Sequence, residues 1–360
     1  MNTQTTRYFR FAPAAAALTL TAAGLLFAGP LSPPAGPVTS TYKTLTEVEP
    51  RTAINLTNTP GDADSLFKIT QRGSYYLTGN IAGVVGRHGI EITASGVTLD
   101  LMGFDLLGVS GSLDGVSTTV GNLRNITIRN GSVRNWGDEG VDLGTNSAES
   151  SAVIDVRASG NAGSGIASGG SSTVTGCSAL SNTGDGITTG FGSTVTGCTA
   201  RFNLSDGISA GPGSTVTGCT AGSNTGDGIT AGDGSTVTGC TARFNDGDGI
   251  EVSSDCRVTD NTCDGNGNDG GNGAGIHVTG SGNRIEGNNC TDADRGIDVD
   301  SAGNIIIRNT CAGNTIEWTI AANNVCGPIL DRTAPASAAI NGTSAPSSLA
   351  TSDANANFTF

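Results

Sequence analysis

Lysine is almost missing from this chain: Lys43 and Lys68 are the only two in 360 residues. Histidine occurs only as His88 and His277, and aromatic residues make up 4% of the chain. Charged residues reach 14%, against a usual ~25%. The formal charge is −14, and no basic stripe with interleaved aromatics offsets it, so nucleic acid is excluded as a partner. No segment carries an apolar period of three to four over a helix-forming length, which excludes helix-rich folds. Long apolar runs are lacking beyond residue 28, so no membrane span is expected once a leader is removed.

Glycine is what the chain has in surplus, at 56 residues, about twice the usual ~7%. No three-residue period accompanies it, so collagen is excluded. Arg7 and Arg10, an apolar run over residues 14–28 and a Pro-rich stretch read as an export signal. Residues 1–28 are assigned to that signal, 29–43 to a Pro/Ser/Thr-rich linker and 44–89 to an N-terminal cap with the first strands. A solenoid is expected over 90–327 and an Ala/Ser-rich, loosely ordered tail over 328–360. The protein is expected to be secreted, periplasmic or on the cell surface.

A repeat decides the architecture. Residues 173–256 read TVTGCSALSNTGDGITTGFGS, TVTGCTARFNLSDGISAGPGS, TVTGCTAGSNTGDGITAGDGS and TVTGCTARFNDGDGIEVSSDC. Each 21-residue unit holds β-prone stretches too short to bury a face alone, so the units must stack, with equivalent residues ~4.8 Å apart. Alignment of the looser coils gives an inward column Ile166, Ile187, Ile208, Ile229, Ile250, Ile276 and Ile297 and a second from Val153 to Val258. A third column runs Ala158 to Ala242 and continues as Cys263, Cys290 and Cys311. Asn161, Asn182, Asn203, Asn224, Asn245, Asn266 and Asn314 form a corner ladder able to bond successive coils.

Cys177, Cys198, Cys219 and Cys240 form a column that continues as Asn261, Asn288 and Asn309. Parallel Cβ vectors at ~4.8 Å suit stacked buried thiols better than disulfides. Strict alternation from the inward valines would turn these cysteines outward, so Gly176, Gly197, Gly218 and Gly239 must mark a bend. Cys256 and Cys326 fall off the columns and are expected to be exposed or paired. No CxxC pair or Cys/His zinc spacing occurs.

The NTGDGI units, the Asn ladders and the Gly-Ile-x-Val pattern resemble right-handed parallel β-helix repeats of the pectin-lyase-like superfamily. Upstream, GSYYLTGNI, GVTLDLMGF and NITIRNGSVRNW resemble the first coils of exported β-helix proteins. The fold class is therefore all-β: a single-stranded right-handed parallel β-helix of about ten to eleven coils. The resemblance implies a binding or structural module of the cell envelope or exterior, with polysaccharide as its partner. It also implies an enzymatic alternative, a calcium-assisted polysaccharide lyase or glycoside hydrolase, whose carboxylates hold calcium and whose base is Arg or Lys. No lysine follows Lys68 and no Gly-His-Gly motif surrounds His88, so the reading leans away from catalysis.

The outward position after the isoleucine column reads Glu91, Asp142, Ala167, Thr188, Ser209, Thr230, Glu251, His277 and Asp298. Charge gathers toward the C-terminal coils, where Glu251, His277, Arg295 and Asp298 are the catalytic candidates. Arg295 is the base in the enzymatic alternative, and Asp248 and Asp300 flank the group as ligand-binding candidates. Trp136 is the further ligand-binding candidate, among sugar-stacking aromatics that include Trp318, Phe104, Phe191, Phe202 and Phe244, the last two with burial as the alternative. Asp264, Asn266 and Asn268 carry the spacing of calcium-loop oxygens, although Asp269 replaces the loop glycine and no acid closes it. No cofactor is required, and calcium is the one ion this spacing suits. Asp185, Asp206, Asp227 and Asp248 stack as like charges that either bind cations or bond corner amides. Thr-x-Thr pairs such as Thr194/Thr196 form an outward grid similar to ice-binding faces, a minor alternative.

Overall fold

Strands of two to eight residues follow one another through the described residues, most of them pairing with the equivalent strand of the next coil rather than with their sequence neighbour. The computed structural model describes residues 49–144, 148–267, 273–331 and 351–360; the expected export signal and linker lie outside these residues. Residues 51–360 form one unit.

The coil at residues 194–214 shows the plan. Thr194–Thr196, Thr199–Arg201 and Ile208–Ala210 lie on three successive faces. Val195 pairs with Val174 and Val216, Ala200 with Ala179 and Ala221, and Ile208 with Ile187 and Ile229, all in parallel. All three residues are fully buried. The valine, alanine and isoleucine columns are thus the core, and Cys263, Cys290 and Cys311 extend the alanine column as expected.

One face is a twelve-stranded parallel sheet running from Ser65–Ile69 to Ile316–Ile320, and the other two faces join in a second sheet. Thr52–Ala53 pairs with Gly73–Tyr76 as a further part-coil, giving about 13 turns. This is more than the ten to eleven coils expected; in the segment read as cap and first strands, Ser65–Ile69 already pairs in register with His88–Ile92. At ~4.8 Å per coil the rod is roughly 60 Å long.

Each corner carries its own hydrogen-bond ladder. Asn182 N–H and Nδ2 both donate to Asn203 Oδ1, at 3.1 and 3.0 Å, and Asn203 repeats this with Asn224. At the cysteine corner Cys240 N–H donates to Asn261 Oδ1 at 2.9 Å, and Asn261, Asn288 and Asn309 continue the series. The third ladder passes from Ser172 through Ser193 and Ser214 to Ser235. It resumes at Cys256, Asn283, Asn304 and Asn324.

Glycine serves these corners in two different ways. Gly197 has φ 61° and open space where a Cβ would stand, so it supplies the left-handed turn that swings Cys198 inward. Gly207 has no positive φ; a Cβ there would lie 2.6 Å from both Asn224 Nδ2 and the Gly228 carbonyl. Its role is to let the ladder amide approach the backbone.

All nine cysteines are free. The Sγ–H of Cys219 donates to the Val195 and Thr217 carbonyls at 3.6 and 3.4 Å. Cys256 corrects the sequence reading: it is buried, 3% exposed, because it takes the place of serine in the third ladder. Burial raises its thiol pKa. Cys326 is exposed. The tail is also more ordered at its ends than expected. Ile329–Asp331 and Asn357–Thr359 are strands, and the latter pairs with both Thr310–Ala312 and Ile329–Asp331.

Candidate functional site

The twelve-stranded face sets a straight row of outward side chains, because one residue of each short strand points away from the core. In order the row is Lys68, Glu91, Ser117, Asp142, Ala167, Thr188, Ser209, Thr230, Glu251, His277, Asp298 and Thr319. The sequence reading does not reach Lys68, which falls in the segment read as cap and first strands, or Ser117, whose strand Val116–Ser117 is only two residues long.

A parallel row precedes the isoleucines. Its aspartates bond corner amides, the second of the two expected alternatives. Asp206 N–H donates to Asp185 Oδ1 at 3.1 Å, Asp227 N–H to Asp206 Oδ1 at 2.9 Å and Asp248 N–H to Asp227 Oδ1 at 2.6 Å. Their other oxygens accept from the first row: Asp185 from Thr188 and Asp206 from Thr230, each at 2.9 Å. One carboxylate therefore both closes a corner and orients a surface hydroxyl.

At the C-terminal coils the structure brings the predicted group together. His277 Nδ1 lies 2.8 Å from Asp248 Oδ2 and 3.3 Å from Glu251 Oε2, while Nε2 lies 3.1 Å from Asp300 Oδ2. Arg295 pairs with Asp298 through Nη1 and Oδ2. The Asp248 and Glu251 carboxylates push the His277 pKa up to about 11, against the opposing effect of burial. At neutral pH the imidazole is a clamped cation. A smaller cluster at the other end joins Lys68 to Asp62 and Glu91 at 2.6 and 2.8 Å, and His88 to Asp114 at 3.1 Å.

A concavity lies elsewhere on the described surface. An open cleft of about 480 Å³ sits over Ala167 and Thr188, between Glu139 and Asp185 on one side and Phe191 on the other. Phe191 is 57% exposed, and its ring covers Gly170, where a Cβ would come within 2.5 Å of it. Glu251 stands three coils further along the row. Glu139 is not among the sequence candidates and Asp185 enters them only through the acidic column, because a sequence does not show which stretch of a long face is walled.

Several predicted positions are corrected. Trp136 is 1% exposed, with its indole N–H on the Leu106 carbonyl, so it stacks on no ligand. Phe202 and Phe244 are exposed rather than buried, each under an arginine guanidinium, Arg201 and Arg243. Asp264 and Asn266 share no calcium loop. Asp264 pairs with Arg243 and accepts from Thr291, whereas Asn266 is buried in the ladder, accepting from Asn245 and donating to Ala242. Asn268 lies outside the described residues. The Thr-x-Thr pairs stand in register over four coils and end at Arg257.

Burial pushes the Asp227 pKa up to about 7, and burial with the neighbouring Asp138 carboxyl pushes Glu139 up to about 8. These values and that of His277 all lie above their unfolded counterparts, about 4 for the acids and about 6.5 for histidine. Their stabilisation is complete below the unfolded values and is lost as pH rises through the folded ones. Asp105 and Glu286, lowered first by Arg134 and Arg284 respectively, lose stabilisation only under acid, below this window. Thermal melts should therefore show a midpoint roughly 5 °C or more lower at pH 9 than at pH 5, with a smaller difference in Glu139→Gln and Asp227→Asn. A midpoint rising over that range would contradict the assignment.

A family model described as a right handed beta helix region matches residues 69–238, and one described as periplasmic copper-binding protein (NosD) matches residues 193–345. With the parallel three-faced coil, these make the chain a right-handed parallel β-helix of the pectin-lyase-like type. Among solved structures, the A-module of the Azotobacter vinelandii mannuronan C-5 epimerase AlgE4 is similar at 16% identity and a TM-score of 0.51, over 71% of this chain and 91% of that one. The Dettilon tailspike protein is similar at 18% identity and a TM-score of 0.53, over 69% of this chain and 58% of that one. The Agl-KA catalytic domain is similar at 14% identity and a TM-score of 0.52, over 69% and 56%. At these identities the likeness is one of fold. No curated protein matches the chain. His277, Asp298 and Asp300 bring ligand atoms within 4.8 Å of one another, with both His277 nitrogens already facing carboxylates.

Proposed function

We propose that this is an exported, non-catalytic module that binds an extended polysaccharide along its twelve-stranded face. The observation that carries the reading is the cleft walled by Glu139, Asp185 and Phe191 over a floor that includes Thr188. Carboxylates and hydroxyls accept and donate to sugar hydroxyls, and an exposed ring offers an apolar face for a pyranose. The rows repeat at ~4.8 Å, so the same contacts recur along a chain lying parallel to the axis. The acidic row favours a neutral or cationic glycan over a polyuronate. A periplasmic description of one matching family model supports export.

The chemistry of the C-terminal group weighs against a lyase or hydrolase. The His277 imidazole has carboxylates on both nitrogens, and Arg295, the base such an enzyme would need, is paired with Asp298. A glycan array should give hits among neutral or cationic polysaccharides, and Phe191→Ala should weaken binding of the best hit about tenfold, ~1.4 kcal/mol. An array without hits would remove the binding reading. Release of unsaturated ends from a polyuronate would replace it with the enzymatic one.

A further inference from the structure

We propose that the cleft at Phe191 is a subsite for an amino-sugar unit carrying a free amine, so that the glycan is an unacetylated amino-sugar polymer. The inference rests on the polysaccharide reading and narrows its ligand. Glu139, Glu149 and Asp185 are the titratable side chains that line the cleft, and no Lys, Arg or His lines it. Its charged contacts are therefore all to cations or hydrogen-bond donors. The floor is kept low by Ala167, the smallest side chain of the outward row, which stands between Asp142 and Thr188.

The three acids differ in what they already hold. Glu149 Oε2 pairs with Arg124 at 3.2 Å. Asp185 accepts the Asp206 N–H on Oδ1 and the Thr188 hydroxyl on Oδ2. Glu139 instead stands among other acids. Its carboxyl clusters with those of Asp114 and Asp138, with oxygens within 4.8 Å of one another, and Asp142 adds to the same field. His88, the imidazole beside this cluster, sits on Asp114 at 3.1 Å.

Burial and the Asp138 carboxyl hold a proton on Glu139 at neutral pH, and a basic ligand group is what can take it. When a neutral amine enters, the carboxyl O–H bond breaks and an N–H bond forms. The product is an ammonium with three donors facing a carboxylate in a half-buried site, a charge-assisted pair. An amine that arrives already charged forms the same pair, and the Glu139 proton goes to solvent. A sugar hydroxyl or an N-acetyl amide has no nitrogen basic enough for either exchange. Across the floor, the exposed Phe191 ring takes the apolar face of the pyranose.

Three β-1,4-linked hexamers test this by calorimetry on the full chain at pH 7: glucosamine, N-acetylglucosamine and glucose. The glucosamine hexamer should bind about tenfold more tightly than the other two. Glu139→Gln should abolish that advantage, and Phe191→Ala should weaken binding of all three. Asp138→Asn, at an exposed position that keeps the fold if Glu139→Gln does not, should cut the advantage about threefold. Equal or tighter binding of the acetylated hexamer would overturn the amine subsite and leave the glycan reading standing. An advantage that survives Glu139→Gln would also overturn it, because the amine would then be held elsewhere on an acidic surface. No binding of any hexamer would overturn the subsite as well, while the glycan array decides the broader reading independently.

Discussion

Trp136→Ala is expected to destabilise the protein by about 3–5 kcal/mol, the range for removing a large aromatic from a core. The ring occupies space that three glycines leave empty. A Cβ at Gly83, Gly89 or Gly115 would lie 2.7–3.2 Å from Trp136 ring atoms, and one at Gly108 2.6 Å from the Trp136 backbone. With the indole gone, those positions have no side chain to move into the void, so relaxation recovers little. Two hydrogen bonds are affected as well: the indole N–H to the Leu106 carbonyl is lost, and the backbone N–H bond to Asn161 Oδ1 loses its packing. Urea denaturation by circular dichroism measures the cost. Because a solenoid is stabilised coil by coil, hydrogen exchange should accelerate first in the coils around residues 83–140. A loss below 1 kcal/mol would mean that these coils collapse freely around the hole.

Asn203→Ala is the second large effect. The substitution removes one oxygen that accepts from both Asn182 N–H and Asn182 Nδ2. It also leaves the Ala179 carbonyl and Asn224 Oδ1 without the Asn203 Nδ2 donor. Asn182 and Asn203 are both fully buried, so water does not replace these bonds. At about 1–3 kcal/mol per orphaned buried group, a loss of roughly 3 kcal/mol or more is expected. The melt should broaden or divide, because the ladder is interrupted midway along the rod. A single unshifted transition would show that the ladder follows the fold without stabilising it.

The sequence made the core legible because side chains of one kind recur at one place in every coil. Ile208 has Ile187 and Ile229 as partners in sequence pattern and in register alike. The bend at Gly197 was also deducible, from the conflict between an inward Val195 and an inward Cys198. Other features were hidden for physical reasons. The serine ladder was overlooked because serine at a Gly-rich corner looks like ordinary turn chemistry, and only the Ser193 and Ser214 hydroxyls accepting from the preceding coil distinguish it. Cys256 was misjudged for the same reason. Trp136 reads as a surface aromatic in a chain with few, and nothing local announces the glycine-lined hole that holds it. The His277 group was legible as a cluster, because strand register fixes which residues are neighbours. The cleft at Phe191 was not, because its wall depends on how a corner folds back over the sheet.

The strand Asn357–Thr359 has a consequence for the order of events. It lies between Thr310–Ala312 and Ile329–Asp331, and Asn357 Oδ1 accepts from Asn309 N–H at 2.9 Å. The last rung of the asparagine series at that corner is thus supplied by a residue 48 positions further on. Every earlier rung closes with the next coil of chain. During synthesis the rod can zip forward as each coil emerges, but this rung must wait for Asn357. Closure at that end is the slow, high-contact-order step of an otherwise local process.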